Sequence, residues 1–76
     1  MARVTPIHWR KLIRVFELDG WNLSRIKGDH LVYTKSGFPR PLIIPKDSRV
    51  EVFIIVNNLR TARILRERYF ELLKRT

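Results

Sequence analysis

Gly28-Asp29 constrains the fold more than any other pair in this chain. It separates two runs that read as β-strands, Trp21–Lys27 and His30–Ser36, the second rich in β-favouring residues. Glycine takes positive φ freely, so a two-residue loop here closes an antiparallel hairpin. In the simple register Lys27 faces His30, Arg25 faces Val32 and Leu23 faces Thr34. Alternation then gives one face that runs from Trp21 and Leu23 at its apolar base to Arg25, Lys27 and His30 at its ionic tip. A one-residue bulge would send His30 to the opposite face.

The remaining segments determine what packs on this hairpin. Thr5-Pro6 is expected to open a helix, with Thr5 as cap and Pro6 at the first helical position. Leu12, Val15 and Phe16 mark its apolar face, Arg10, Lys11 and Arg14 its solvated side, and Gly20 after Asp19 a left-handed end. His8, in the first turn, reads as neutral and structural, and Trp9 as either packed at the helix edge or an exposed contact. Arg40–Pro45 is a third strand, and its two prolines place it at a sheet edge. Asp47 or Ser48 can cap the next element. Val50 to about Leu59 is β-branched, yet Val52, Ile55, Val56 and Leu59 keep a three–four spacing, which predicts a helix against local propensity. A last helix spans Arg66 to about Lys74. The expected fold is therefore α+β, α-β-β-β-α plus a short C-terminal helix. Its three-stranded antiparallel sheet has helices on one face, the order found in double-stranded-RNA-binding domains. Seventy-six residues without a repeat or linker predict one domain, 1–76.

Sixteen Lys and Arg against seven Asp and Glu leave a formal charge of +9. Such a field attracts polyanions, nucleic acid before an acidic protein and both before an anionic membrane. The longest apolar run, Val52–Val56, falls far short of the ~20 residues of a membrane span. Met1–Pro6 lacks the apolar stretch of a signal peptide, so the expected location is the cytoplasm. Cysteine is absent, which excludes disulfides and thiolate metal sites. Histidines at 8 and 30 with scattered carboxylates form no ligand cluster, and no metal or other cofactor is expected.

His30 is the candidate for chemistry. An unperturbed imidazole titrates near pH ~6.5 and can take a proton at neutral pH. Lys27 and Arg25 on its face can hold a phosphate, and Lys35 and Lys46 are further candidates for an RNA backbone. Gly28 and Asp29 form the turn that supports the site. Read from the residues alone, His30 is a catalytic base, an RNA or partner contact, or a polar residue after a turn. Tyr33 either stacks on a base or packs.

The residue order resembles the HicA (YcfA-like) toxin family. The first helix ends in Asp19-Gly20-Trp21 where the family has Gly-aromatic, and Arg25–His30 stands where it has a basic strand ending in Gly-Ser-His. Ile43-Ile44-Pro45-Lys46 matches its apolar-Pro element, and Leu59–Ile64 with Arg66–Leu73 its closing helices. The resemblance implies a small mRNA-cleaving toxin, held inactive by a HicB-type acidic antitoxin, with His30 as the catalytic residue. The chain departs from the family pattern twice. Asp29 replaces the commonest serine, and Pro45-Lys46-Asp47 lacks a second histidine, which leaves His30 alone. The carboxylate of Asp29 either repels a phosphate or orients His30.

Overall fold

The computed structural model describes residues 2–76. Helix α1 spans Trp9–Leu18, strands β1, β2 and β3 span Asn22–Lys27, His30–Thr34 and Leu42–Pro45, and helices α2 and α3 span Val52–Ala62 and Arg66–Lys74. The strands form one antiparallel sheet in the order β1-β2-β3, so the proline-bounded β3 is an edge. Leu31, Tyr33, Leu42 and Ile44 from the sheet share a core with Leu12, Val15 and Phe16 of α1, Ile55 and Leu59 of α2, and Tyr69 and Leu72 of α3. The order and the antiparallel sheet are those expected.

The β-branched segment is helical because one face is buried. Ile55, Asn58, Leu59 and Ala62 are buried at helical spacing, while Phe53 is 66% exposed. Burial of that stripe outweighs the few tenths of a kcal/mol per residue by which β-branched side chains disfavour a helix. Asn58 on the same stripe binds the outer edge of β3. Its Oδ1 accepts from Ile43 N–H at 3.3 Å, and its Nδ2 donates to the carbonyls of Ile43 at 3.1 Å and Ile54 at 3.0 Å.

Helix α1 starts later than its sequence suggests. Ile7 bridges Val50, whose N–H donates to the Ile7 carbonyl at 2.7 Å, and Trp9 N–H donates to the Asp47 carbonyl at 3.1 Å. This pairing holds the preceding residues extended, so Thr5 is not the cap. His8 is: its Nδ1 accepts from Arg10 N–H at 3.1 Å, a role that belongs to the neutral ring. Neither Asp47 nor Ser48 caps α2. Its N-cap is Glu51, which makes no side-chain cap bond. At the other end of α1, Gly20 has φ +97°, and a Cβ there would sit 3.3 Å from Lys35 Cε.

Register differs from expectation at one point. Lys27 faces His30 and Arg25 faces Val32, but Leu23 faces Tyr33 and Asn22 faces Thr34, because a bulge at Ser24 shifts the pairing. Trp21 and Leu23 therefore do not continue the face of Arg25 and Lys27. Trp21 is 1% exposed in the core instead. Its indole N–H donates to Asp19 Oδ2 at 3.3 Å, and Arg68 of α3 binds Asp19 Oδ1 at 3.2 Å.

Both tyrosines of the chain are buried, which makes the fold alkali-sensitive. Burial raises the Tyr33 hydroxyl above its ordinary range. The hydrogen bond it donates to Glu17 Oε2, 2.7 Å long, and the Glu17 charge raise it further. Burial alone pushes Tyr69 up to about 12, and its hydroxyl has no partner among the described residues. Above pH ~10 the unfolded chain releases protons that the fold retains, so stability is intact below about 10 and falls as pH climbs toward the folded values. Thermal melts should hold level up to about pH 10 and then drop, with phenolate absorbance rising only as the fold is lost. Phenolate forming near pH ~10 in the folded protein would contradict this.

Candidate functional site

The site begins at the hairpin. Gly28 opens the two-residue loop at φ +59°, while Asp29 stays at negative φ, the glycine-first arrangement of a type II′ turn. Such a turn matches the twist of the strands, so Lys27 and His30 emerge directly opposite one another. The bulge lies at Ser24, between Leu23 and Arg25 and away from the tip, and therefore does not move His30.

Cross-strand pairing sets the face. Lys27, His30 and Pro45 are in register, as are Arg25, Val32 and Ile43, on the side of the sheet opposite Leu31, Tyr33 and Ile44. Arg25, Lys27, His30, Val32 and Ile43 line a shallow concavity of about 450 Å³. Val32, 6% exposed, and Ile43, 43% exposed, form its apolar floor. Arg25, Lys27 and His30 are exposed, and none of them makes a side-chain hydrogen bond or ion pair with a described residue. The arrangement offers one proton-accepting ring and two free cations on one surface. A larger concavity, about 720 Å³, lies along α3 and the turn before it. Asp19, Glu67 and Glu71 line it together with Arg63, Arg68 and Lys74, so it lacks the uniformly basic lining of the His30 concavity.

Asp29 acts through its backbone. Its carbonyl accepts from Lys46 N–H at 2.8 Å, which ties the hairpin tip to the chain leaving β3. Its carboxylate neither bonds to His30 nor pairs with any described cation. Lys46 is thereby held beside the tip, with Nζ 6.0 Å from the Trp9 ring centroid. Trp9 is half-buried at the helix edge, stacked on His8 at 5.9 Å with the Arg10 guanidinium 5.3 Å away.

Lys35 lies apart from this group. Its Nζ donates to the Asp19 carbonyl at 2.6 Å and stands 3.5 Å from Asp19 Oδ2, so its charge is used to fasten the end of α1. Tyr33, 1% exposed and bonded to Glu17, is packed and not free to stack on a base. The structure thus gathers Arg25, Lys27 and His30, with Lys46 adjacent, and separates Lys35. The apolar floor was not singled out from sequence. Its signal is the alternation Leu42-Ile43-Ile44, which turns Ile43 away from the core.

Among the described residues no group of three or more His, Cys, Asp or Glu is placed to hold a metal ion. No helix is long and apolar enough to cross a membrane. A family model described as "HicA toxin of bacterial toxin-antitoxin" matches residues 9–53, from the first residue of α1 through the whole sheet to the start of α2. No curated protein and no solved structure matches the chain.

Proposed function

This chain belongs to the HicA toxin family of bacterial toxin–antitoxin systems, and on that premise we propose that it is an endoribonuclease that cleaves mRNA with His30 as the catalytic base. The observation that carries the proposal is the shared face of His30, Lys27 and Arg25. RNA supplies its own nucleophile. His30 takes the proton of a 2′-hydroxyl, and that oxygen attacks the adjacent phosphorus. The bond from phosphorus to the 5′-oxygen breaks, and this oxygen takes a proton from solvent, which the open face admits. The products are a 2′,3′-cyclic phosphate and a 5′-hydroxyl. Lys27 and Arg25 stabilise the charge that grows on the phosphate oxygens. Lys46, held beside the tip through Asp29, contacts the RNA backbone. The chemistry requires no bound metal.

A toxin of this family works against an antitoxin. With a formal charge of +9, the partner expected here is an acidic, HicB-type protein that covers the His30 concavity.

The test is the chemistry of the cut ends. Purified protein incubated with RNA should leave cyclic phosphate termini, and the same sequence with a 2′-deoxy residue at each cut position should stay whole. RNA left intact after long incubation, but bound in a salt-sensitive manner, would identify a non-catalytic RNA-binding domain instead.

A further inference from the structure

We propose that single-stranded RNA runs from His30 along a furrow over β3 to a second anion site, where Arg40, Arg60 and Arg63 hold its backbone. The inference rests on the reading of the chain as an RNA-cleaving toxin and deepens it. It names how the substrate strand lies and which residues hold it far from the cut.

Three concavities adjoin one another through shared lining residues. The His30 concavity shares Ile43 with a second one lined by Arg40, Pro41, Ile54, Asn57, Asn58 and Thr61. That one shares Arg40 and Thr61 with a third, about 260 Å³, lined also by Phe38, Pro39, Arg60 and Arg63. Pro45 stands beside His30 and Arg40 lies five residues before it, about 16 Å along an extended chain. No carboxylate among the described residues lines any of the three concavities. Cations cluster at the two ends, Arg25 and Lys27 at one and the three arginines at the other. Between them Ile43 and Pro41 present apolar surface, on which sugars and bases can rest.

The far end carries a mark of its own. Arg63 is the one non-glycine residue at positive φ among those described, at φ 56° and ψ 41°. It ends α2, with Ile64 N–H returning to the Leu59 carbonyl at 2.9 Å. Glycine fits this place without the cost a side chain incurs there. The chain instead keeps a guanidinium there, 5.6 Å from the Phe38 ring. Backbone strain retained for one side chain points to a use for that side chain. Arg40, Arg60 and Arg63 pair with no carboxylate among the described residues. All are arginine, whose planar fork matches a phosphate better than an ammonium does. A furrow that starts at the proton acceptor fits the substrate strand better than it fits an acidic protein, which needs no such continuity. Arg60 and Arg63 lie outside the residues matched by the family model.

The experiment uses His30→Ala protein, so that RNA is bound and not cut. Binding is measured for mixed-sequence single-stranded RNA of about ten nucleotides, within the range that basic single-strand grooves cover, and for a short RNA that spans only the His30 concavity. In the Arg40→Ala/Arg60→Ala/Arg63→Gly variant the long RNA should lose roughly tenfold or more in affinity. Its log–log salt slope should fall by about 0.7 for each arginine removed. The ratio of long- to short-RNA affinity should drop with it. Arg63→Gly alone should raise the melting temperature while weakening long-RNA binding, which a misfolded variant cannot do. Unchanged affinity and salt slope for the long RNA would overturn the furrow. So would a variant that keeps RNA but loses only an acidic protein partner. The two readings fail separately. If the wild-type chain cuts no RNA but the arginine variants lose long-RNA binding, the furrow stands and the catalytic role of His30 falls.

Discussion

Replacing His30 by alanine is expected to slow RNA cleavage by roughly 10²–10⁴-fold, the share usually carried by a positioned proton acceptor. The fold should be unaffected. The ring is exposed and bonds to no described residue, and surface changes of this kind usually stay within about 0.5 kcal/mol. A single-turnover cleavage assay beside a thermal melt separates the two quantities. Growth arrest on expression of the wild-type chain is the expected phenotype, and it should disappear in the same variant. Lys27→Ala leaves the imidazole in place and removes one cation, so its loss should be smaller. If the His30→Ala protein cuts at the wild-type rate, the imidazole is not the base and the hairpin tip is only a contact surface. The lone histidine also limits the rate. In the proposed mechanism, with no second histidine after Pro45, the leaving oxygen takes its proton from solvent, and slow cutting is the expected regime.

The largest loss of stability from a single polar side chain is expected at Asn58. Asn58→Leu should cost about 2–4 kcal/mol. It removes three hydrogen bonds worth about 1 kcal/mol each, and it covers the Ile43 amide and carbonyl with a side chain that can bond neither. At roughly 0.05–0.15 kcal/mol per residue, a chain of this length holds a total stability of about 4–11 kcal/mol, so much of it is at stake. Asn58→Ala should be milder, because the gap it leaves admits water to the edge of β3. Urea unfolding gives the answer as a lower midpoint at unchanged slope. A loss below about 0.5 kcal/mol for the leucine variant would mean that the β3 edge is hydrated already and that the Asn58 bonds contribute little.

The hairpin and the place of His30 opposite Lys27 were legible in sequence because both follow from local rules. A glycine-first loop of two residues sets the pairing of Lys27 with His30, and alternation does the rest. The helix at Val52–Ala62 was legible for a different reason: a three–four spacing of apolar residues outlasts any strand, and it outweighed β-branched propensity. What stayed hidden depends on contacts between distant segments. His8 rather than Thr5 caps α1 because Val50 reaches back to Ile7. Lys35 left the candidate site because Asp19, sixteen positions earlier, takes its charge. The bulge at Ser24 has no composition signal, and it moved Trp21 and Leu23 off the Arg25 face. Nothing in the sequence singles out Asn58 within its helix. Its role exists only once β3 lies alongside.

Asn58 and the Ser24 bulge together have a consequence for how this molecule meets other chains. A bare sheet edge is an invitation to any extended peptide, because it offers an evenly spaced row of donors and acceptors. Here one edge is interrupted by a side-chain amide at Ile43, and the other is thrown out of step at Ser24. Neither presents an unbroken ladder. Freshly made copies are thereby hindered from zipping into stacked sheets. A protein that covers the His30 concavity would likewise gain little from lending a strand, and is expected to lie across the exposed face instead.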